Sequence, residues 1–477
     1  LSLMAFLEPK PVETVMSETI IPMATESLPM KMITRERLFL LSLENAIFRE
    51  KYRGKFKCMA LNFKIKTIVV ICLIFLGGII SGNAQIYNGS EFKTGADQPE
   101  LYLKLLKDKN VAVVTNQTGI VTNVTYVNVP RNNGTGGAKG IKTDKKSIVD
   151  FLVENGISVK TIFAPEHGFR GDADAGENVK NGIDVKTGIP TVSLYGANKK
   201  PKPEQLKGID VIVFDIQDVG VRFYTYISTL AYVMEAAAQN DVEVIVLDRP
   251  NPHDGYTDGP VLKKKWESFV GMHEVPVVYG LTIGEYGKMI NGQKWLAKGL
   301  QAKYTVIPMA NYFKRKRYGV SDKPSPNLPN DRAINLYPSL CFFEGTQVSV
   351  GRGTPLPFQI YGSPWTKNLP YQFTPKPSFG AKDPFLNGQI CYGENLSQKN
   401  WDLRKLNISW LLKAYSNYQN PQQNFFLSNL FFDKLAGSDA LRNQIIAGKS
   451  EKEIRSSWEK DLKNFELIRK KYVIYKD

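Results

Sequence analysis

Residues 211–218 read Val-Ile-Val-Phe-Asp-Ile-Gln-Asp. The first four are apolar residues that favour strands, and polar residues follow them at once. A segment with helical spacing comes next, with apolar side chains at Ile227, Leu230, Met234 and Ala237. An unbroken apolar run of this length is typical of a strand that is buried on both faces of a parallel sheet. The segment therefore predicts one strand and one covering helix of an α/β fold.

The same arrangement recurs between residues 110 and 250. Further apolar runs occupy residues 111–114, 159–164, 191–195 and 244–247. Buried strands that alternate with amphipathic helices predict a Rossmann-like, mostly parallel sheet with helices on both faces.

The remainder of the chain has a different composition. Residues 321–385 are dense in proline, glycine and aromatic residues, which predicts a smaller C-terminal α+β domain. Because 477 residues exceed what one core normally holds, we expect two domains, at 85–300 and 301–477. The apolar spacing over 451–471 predicts a single amphipathic helix.

The N-terminal region has the layout of a secretory signal peptide. Residues 59–84 begin at Met59, carry two lysines, continue with an apolar run and end in Gly82-Asn83-Ala84. The apolar run is too short to predict a transmembrane helix. We therefore expect an exported protein, periplasmic or extracellular, without stable membrane insertion after signal cleavage. Residues 1–58 are predicted to be upstream translation from a misassigned start; the alternative is a genuine cytoplasmic extension with residues 68–80 as an anchor.

Composition narrows the classes of partner. The formal charge is +16, and the lysines are scattered, as on a solvated surface. A basic exported protein is attracted to anionic polymers such as cell-wall material. We expect no nucleic-acid partner because no recognisable binding motif is present. After the signal peptide only Cys341 and Cys391 remain, enough for one disulfide at most, and the sequence does not define an oligomeric state.

Polar side chains follow each of the main predicted strands. They include Asn116 after the first strand, Glu166 and His167 after the second, and Asp215 to Asp218 and Asp248 to Asn251 after the later ones. Because the carboxyl ends of parallel strands meet at one edge of a sheet, these groups predict a ligand site there.

Glu166 is the leading catalytic candidate. Pro165 ends the apolar run and Gly168 follows, so the chain is predicted to leave the sheet in a shaped loop. A carboxyl group beside an apolar strand end can be desolvated, which raises its pKa and suits it to general acid catalysis. The alternative is a structural role, as a helix cap or as a partner of Arg170. His167 would orient the acid or simply pack.

A second cluster follows the strand at 211–214. It contains a set of acidic, amide, guanidinium and phenol groups: Asp215, Gln217, Asp218, Arg222, Tyr224 and Tyr226. Such groups suit the binding of sugar hydroxyls, and an arginine can bind a carboxylate through two hydrogen bonds. The alternative is that Asp218 caps the following helix and the tyrosines pack against it.

We expect neither a metal nor a cofactor. Asp172, Asp174 and Glu177 lack the spacing of a calcium loop, and the three histidines are too far apart in sequence for a zinc motif. No Gly-x-Gly-x-x-Gly follows a predicted strand, so a dinucleotide is not expected. The absence of Gly-x-Ser-x-Gly argues against an α/β-hydrolase.

These motifs resemble, in order, one family: the secreted exo-β-N-acetylmuramidases of peptidoglycan turnover. The matching stretches are F-A-P-E-H-G-F-R-G at 163–171, A-G-E at 175–177, S-L-Y-G at 193–196, F-D-I-Q-D-V-G-V-R-F-Y-T-Y at 214–226, L-D-R-P-N-P at 247–252, G-L-T-I-G-E at 280–285, F-E-G-T at 343–346 and G-R-G-T-P-L-P-F at 351–358. The resemblance implies an active site in the cleft between two domains, release of N-acetylmuramic acid from the non-reducing end of wall-derived glycans, and Glu166 as the catalytic glutamate.

The strand ends and these motifs supply the candidate site residues. We predict catalytic roles for Glu166, His167, Asp215 and Asp218. We predict substrate contacts for Asn116, Arg170, Glu177, Gln217, Arg222, Tyr224, Tyr226, Asp248, Arg249, Asn251, Glu285, Glu344 and Arg352.

The mechanism that follows needs a second carboxylate and a cation. Candidates for the carboxylate are Asp215, Asp218, Glu177 and Glu285. A separation from Glu166 of about 5–5.5 Å would indicate retention and about 6.5–9.5 Å inversion. The lactyl carboxylate of muramic acid calls for a cation, provisionally Arg222 or Arg352. Two other functions stay open from sequence alone: a non-catalytic muropeptide-binding envelope protein and a metal-dependent cell-wall hydrolase.

Overall fold

The structure is a computed structural model that describes residues 92–129, 138–166, 168–170, 181–320, 322–398 and 402–476. These residues belong to one compact unit, 90–477. The predicted signal peptide and the segment before it lie outside the described residues. In the part that the structure describes, every helix is too short or too polar to span a bilayer.

Strands and helices alternate through the first part of the chain. In order they are α1 (Pro99–Leu106), β1 (Asn110–Thr115), β2 (Ile120–Val129), β3 (Ala138–Ser147), α2 (Ile148–Glu154), β4 (Ser158–Ala164), β5 (Gly182–Ile183), β6 (Pro190–Ser193), α3 (Pro203–Leu206), β7 (Val211–Asp215), α4 (Tyr226–Gln239), β8 (Glu243–Leu247), α5 (Ile283–Gly292) and β9 (Lys303–Ile307). The predicted strands at 111–114, 159–164, 191–195, 211–214 and 244–247 all form, and no end differs by more than two residues.

Within the described residues, seven strands form one sheet in the order β5-β6-β4-β1-β7-β8-β9. Every neighbouring pair is parallel except β5 with β6, which confirms the Rossmann-like, mostly parallel sheet. β2 and β3 form a separate hairpin. The sheet extends past residue 300, where we expected the first domain to end, because β9 pairs with β8.

The apolar runs lack polar alternation because both faces of the sheet are covered. In β7, Val211 and Val213 pack into one core, whereas Ile212 and Phe214 pack into the other. The second of these cores continues without interruption into the C-terminal part, where it includes Phe342 and Phe432. The two parts therefore share one hydrophobic core.

The C-terminal part contains short helices and a small antiparallel sheet, as predicted. Its elements are α6 (Asp331–Leu340), β10 (Ile360–Ser363), β11 (Tyr371–Phe373), β12 (Cys391–Asn395), α7 (Ser409–Ser416), α8 (Phe431–Ala436), α9 (Ala440–Ile446), α10 (Glu451–Ser456) and α11 (Glu459–Arg469). The sheet order is β10-β12-β11. Cys341 and Cys391 are both buried free thiols, so they form no disulfide.

The prediction of one helix over 451–471 was wrong, since α10 and α11 are separate helices. The break lies at Ser457, whose hydroxyl donates a 2.6 Å hydrogen bond to the carbonyl oxygen of Ile454. Such a side-chain bond competes with the helical hydrogen bonds of the backbone and bends or ends a helix.

The strand order places the candidate site. β1 lies between β4 and β7, so the order of the sheet reverses at β1. The residues that follow β4, β6 and β7 lie at the carboxyl edge of the sheet around this reversal, where open α/β sheets bind ligands.

Candidate active site

Glu166 lies just beyond β4 and is half-buried in the wall of a cleft. Its Oε2 atom accepts a 2.8 Å hydrogen bond from the hydroxyl of Thr225. Thr225 precedes α4 but makes no side-chain cap, so its hydroxyl is directed to Glu166 instead. The hydroxyl of Tyr195, just after β6, also bonds Glu166; burial, and then the charge of Glu166, raise the pKa of Tyr195.

The cleft has a volume of about 960 Å³ and lies between the sheet edge and the C-terminal part. Tyr224 lines it from the first part of the chain, and Tyr337, Glu344, Arg352 and Phe385 line it from the second. The volume is at the upper end of the range typical of small-molecule sites. Glu166 therefore lies in a cleft large enough for an extended ligand.

Glu344 and Arg352 form an ion pair on the far wall of the cleft. The Nε atom of Arg352 lies 2.8 Å from Oε1 of Glu344, and the guanidinium stacks 5.0 Å above the centre of the Phe358 ring. The thiol of Cys341 lies 3.4 Å from the other oxygen of Glu344. Burial raises the pKa of this thiol, so it stays protonated and is a poor nucleophile.

Asp215 and Arg249 form a buried ion pair between the ends of β7 and β8. Nε and Nη2 of Arg249 donate to the two carboxylate oxygens at 2.5 and 2.9 Å. The guanidinium also donates to the carbonyl oxygen of Ile120 at 2.9 Å. Neither residue belongs to the described lining of the cleft. Their geometry fits a structural link between the ends of β7 and β8 rather than the catalytic and substrate-binding roles predicted for them.

Asp218 is buried beneath the site. One carboxylate oxygen accepts hydrogen bonds from the hydroxyl of Tyr279 at 2.5 Å and from the amide of Gly220 at 2.6 Å. Burial raises the pKa of Asp218 to about 6. Asp218 also lies outside the described lining of the cleft.

Asp248 and Glu285 anchor the end of the chain. Asp248 accepts a 2.5 Å hydrogen bond from the hydroxyl of Tyr475 and another from Thr282. Glu285 closes the capping box of α5, pairs with Lys314 at 2.6 Å and accepts from the amide of Ile474. Both carboxylates are fully buried, and neither borders the cleft as described. Their surroundings do not match the predicted contacts with substrate.

Of the four candidates for the second carboxylate, Asp215, Asp218 and Glu285 therefore lie outside the described lining of the cleft. Glu177 lies outside the described residues, as does His167. The carboxylates that line the cleft with Glu166, among the residues described, are Glu344 and Asp383.

Arg222 links the two parts of the chain. It is fully buried, and it donates to the backbone carbonyl oxygens of Pro260, Val275 and Leu435 at 2.7–2.8 Å. Burial lowers its pKa to about 9. This position does not match the predicted contact with a substrate carboxylate, and of the two arginines considered only Arg352 lines the cleft.

The tyrosines of the second cluster are buried and lie edge-on to each other, and Tyr226 is the first residue of α4 rather than a side chain packed against it. The hydroxyls of Tyr224 and Tyr226 both donate to the carbonyl oxygen of Pro324, at 2.7 and 3.1 Å. The side-chain amide of Asn116 donates to Tyr226 at 2.7 Å. Of these side chains, Tyr224 alone borders the cleft as described.

The remaining candidates also bind the protein itself. The side-chain amides of Gln217 and Asn251 donate to backbone carbonyl oxygens at 2.6 and 2.8 Å. Arg170 pairs with Asp184 at 2.8 Å. None of the three belongs to the described lining of the cleft.

Sequence reasoning missed several residues that line the cleft: Tyr195, Lys199, Thr225, Phe269, Lys382 and Asp383. Tyr195 and Thr225 belong to the motifs at 193–196 and 214–226, so the motifs carried the signal. Phe269 lies in a segment that no motif marks.

Within the described ranges, no group of three or more histidine, cysteine, aspartate or glutamate side chains is placed to hold a metal. Asp172, Asp174 and Glu177 lie outside those ranges. His253 and His273 are separately buried, and burial lowers the pKa of each to about 4.

Two family models match the chain. "Exo-beta-N-acetylmuramidase NamZ, N-terminal" matches residues 111–332, and "Exo-beta-N-acetylmuramidase NamZ, C-terminal" matches residues 335–475. The chain is 39% identical over 394 residues to the peptidoglycan beta-N-acetylmuramidase NamZ of Bacillus subtilis. The aligned region covers 78% of this chain and 89% of that protein.

Two solved structures from Bacteroides fragilis, both of DUF1343 family proteins, are also similar. One is 41% identical with a TM-score of 0.70, and it covers 81% of this chain and 100% of that one. The other is 29% identical with a TM-score of 0.63, and the match covers 81% of this chain and 99% of that one.

Proposed function

Because the chain belongs to the NamZ family of exo-β-N-acetylmuramidases, we propose that it releases N-acetylmuramic acid from the non-reducing end of peptidoglycan-derived glycans. It is then a glycoside hydrolase. The observation that carries the proposal for this chain is the placement of Glu166 in the cleft wall, held by two hydroxyl groups.

Glu166 acts as the general acid. It donates its proton to the glycosidic oxygen as the bond from that oxygen to the anomeric carbon breaks, so the leaving sugar departs as a neutral alcohol. The hydroxyls of Thr225 and Tyr195 then stabilise the carboxylate that remains. Water supplies the oxygen that becomes bonded to the anomeric carbon, and the proton that this water releases replaces the one that Glu166 donated.

A second carboxylate activates this water or attacks the anomeric carbon first. Glu344 and Asp383 line the cleft, and Glu177 stays a candidate from its motif. Substitution of each by its amide, followed by rescue with azide, identifies the partner: azide replaces a missing nucleophile or base, and the anomer of the product gives the stereochemistry.

A small apolar side pocket suits the acetamido group of the sugar. It has a volume of about 170 Å³, shares Glu344, Arg352 and Phe385 with the cleft, and continues to Val348 and Val350. Arg352 keeps N–H groups beyond the one that binds Glu344, and these can bind the oxygens of the sugar.

Export to the periplasm or the cell surface belongs to the same proposal. It is supported by the signal-like pattern at 59–84 and by the excess of basic residues, which favours contact with anionic wall material. Fractionation of cells that express the full chain tests it, since a processed form outside the cytoplasm is expected.

The direct test of the mechanism is Glu166→Gln. The variant is expected to lose hydrolysis of a chromogenic N-acetylmuramide by 100-fold or more, because a general acid typically contributes about 10²–10⁴-fold. Unchanged hydrolysis would contradict the mechanism. Wild-type binding of muramyl saccharides without any turnover would instead support a non-catalytic binding protein.

A further inference from the structure

Lys199 is a cation of the cleft wall with no anionic partner in the described part of the chain. It follows β6, is half-buried, and its ammonium group lies 5.0 Å from the centre of the Phe269 ring. The adjacent Lys200 differs, since its ammonium pairs with Glu235 at 2.6 Å. Within the described residues, the charge of Lys199 therefore has no compensating carboxylate, and the side chain is half-buried.

Three successive contacts lead from the catalytic glutamate to this lysine along one wall. The hydroxyl of Tyr195 bonds Glu166. The ring centre of Tyr195 lies 6.1 Å from that of Phe269, and Phe269 lies beneath the ammonium of Lys199. A sugar whose anomeric bond lies at Glu166 thus has Lys199 on the same side of the cleft.

The other cations of the cleft are already engaged. Arg352 pairs with Glu344 at 2.8 Å, and a second carboxylate bound beside that pair would be repelled by the negative charge of Glu344. Lys382 already has an interaction of its own. Lys199 is therefore the lining cation to which an incoming anion adds the most favourable contact.

We propose that Lys199 binds the lactyl carboxylate of the muramic acid unit and so sets the preference for this sugar over N-acetylglucosamine. The inference rests on the proposed function. The two sugars differ by the lactyl ether, so a cation beside that group distinguishes them directly. A carboxylate that binds a lysine held over an aromatic face gains a charge-assisted hydrogen bond in partly desolvated surroundings.

The test is calorimetric binding of free N-acetylmuramic acid and free N-acetylglucosamine to the full chain. The wild type is expected to bind N-acetylmuramic acid more tightly. In Lys199→Met the ratio of the two affinities falls roughly tenfold or more, because a hydrogen bond to a charged group is lost. Lys199→Arg keeps most of the ratio.

Lys200→Met is the matched control, since it removes the same charge from the adjacent position outside the cleft lining and should leave the ratio unchanged. Thermal unfolding verifies that each variant is folded. The proposal is overturned if Lys199→Met keeps the wild-type ratio of affinities, which includes the case in which it weakens the binding of both sugars equally. It is also overturned if Arg352→Gln removes the preference for N-acetylmuramic acid while Lys199→Met keeps it. Neither monosaccharide is hydrolysed, so these outcomes are independent of the test of Glu166.

Discussion

Asp215→Asn should destabilise the protein without impairing its chemistry. Asp215 is 0% exposed and the side chain of Arg249 is 8% exposed, so the amide would leave a buried guanidinium without its anion. Breaking a buried ion pair in this way costs about 3–5 kcal/mol. For the unit at 90–477, an unfolding entropy of about 2.1 cal/mol/K per residue converts this loss into a fall in Tm of about 4–6 °C.

The assay combines thermal unfolding, followed by circular dichroism, with hydrolysis of a chromogenic N-acetylmuramide below both melting temperatures. We expect kcat/KM of the folded variant to stay within about tenfold of the wild type, which is about 1.4 kcal/mol of transition-state stabilisation. Asp258→Asn is the control, because the buried Asp258 also pairs with an arginine, the partly exposed Arg455, outside the described cleft lining. A variant of Asp215 that is as stable as the wild type but has lost activity 1,000-fold or more would refute the reasoning and restore Asp215 as a catalytic group.

Three further predictions follow from the geometry. Tyr195→Phe and Thr225→Val each remove one donor to Glu166, so kcat on the same substrate should fall about tenfold or more in steady-state assays, because hydrogen bonds to charged groups contribute about 1.5–3 kcal/mol. Arg222→Met removes one donor from each of three buried carbonyl oxygens and should lower the free energy of unfolding in denaturant titrations by about 3 kcal/mol, with little effect on the affinity for N-acetylmuramic acid. Burial lowers the pKa of His273 from its usual 6.5 to about 4, so its contribution to stability is present above pH 6.5 and is lost as the pH falls towards 4. Between pH 6.5 and 4, the change in unfolding free energy of the wild type and that of His273→Phe should therefore differ by up to about 3 kcal/mol, with the wild type losing more.

The parallel sheet was predictable because its signal is local. In β7 each residue packs against one face or the other, so the unbroken apolar run at 211–214 reports the burial of both faces directly. The placement of Glu166 at the carboxyl edge follows from the same logic, since it depends only on the end of β4. The break between α10 and α11 was not predictable from apolar spacing, because the apolar stripe runs on past Ser457, whose hydroxyl bonds the carbonyl oxygen of Ile454.

The direction in which each polar side chain points could not be predicted, because it depends on partners that are distant in sequence. The carbonyl groups that bind Arg222 belong to residues 38, 53 and 213 positions away. Asp215 finds its arginine 34 positions later. Without these partners, a buried ion pair and a catalytic carboxylate after a strand have the same sequence pattern. Tyr195 was missed as a site residue for the converse reason, since its role depends on Glu166 on another strand end.

The central claim is that Glu166 cleaves the bond behind a terminal muramic acid. Mass spectrometry of the products from a defined disaccharide, N-acetylmuramic acid linked β-1,4 to N-acetylglucosamine, tests it most directly. We expect the wild type to yield the two free monosaccharides, with one oxygen atom of the N-acetylmuramic acid derived from water, and Glu166→Gln to leave the disaccharide intact. Intact disaccharide after incubation with folded wild-type protein, or equal cleavage by the variant, would contradict it.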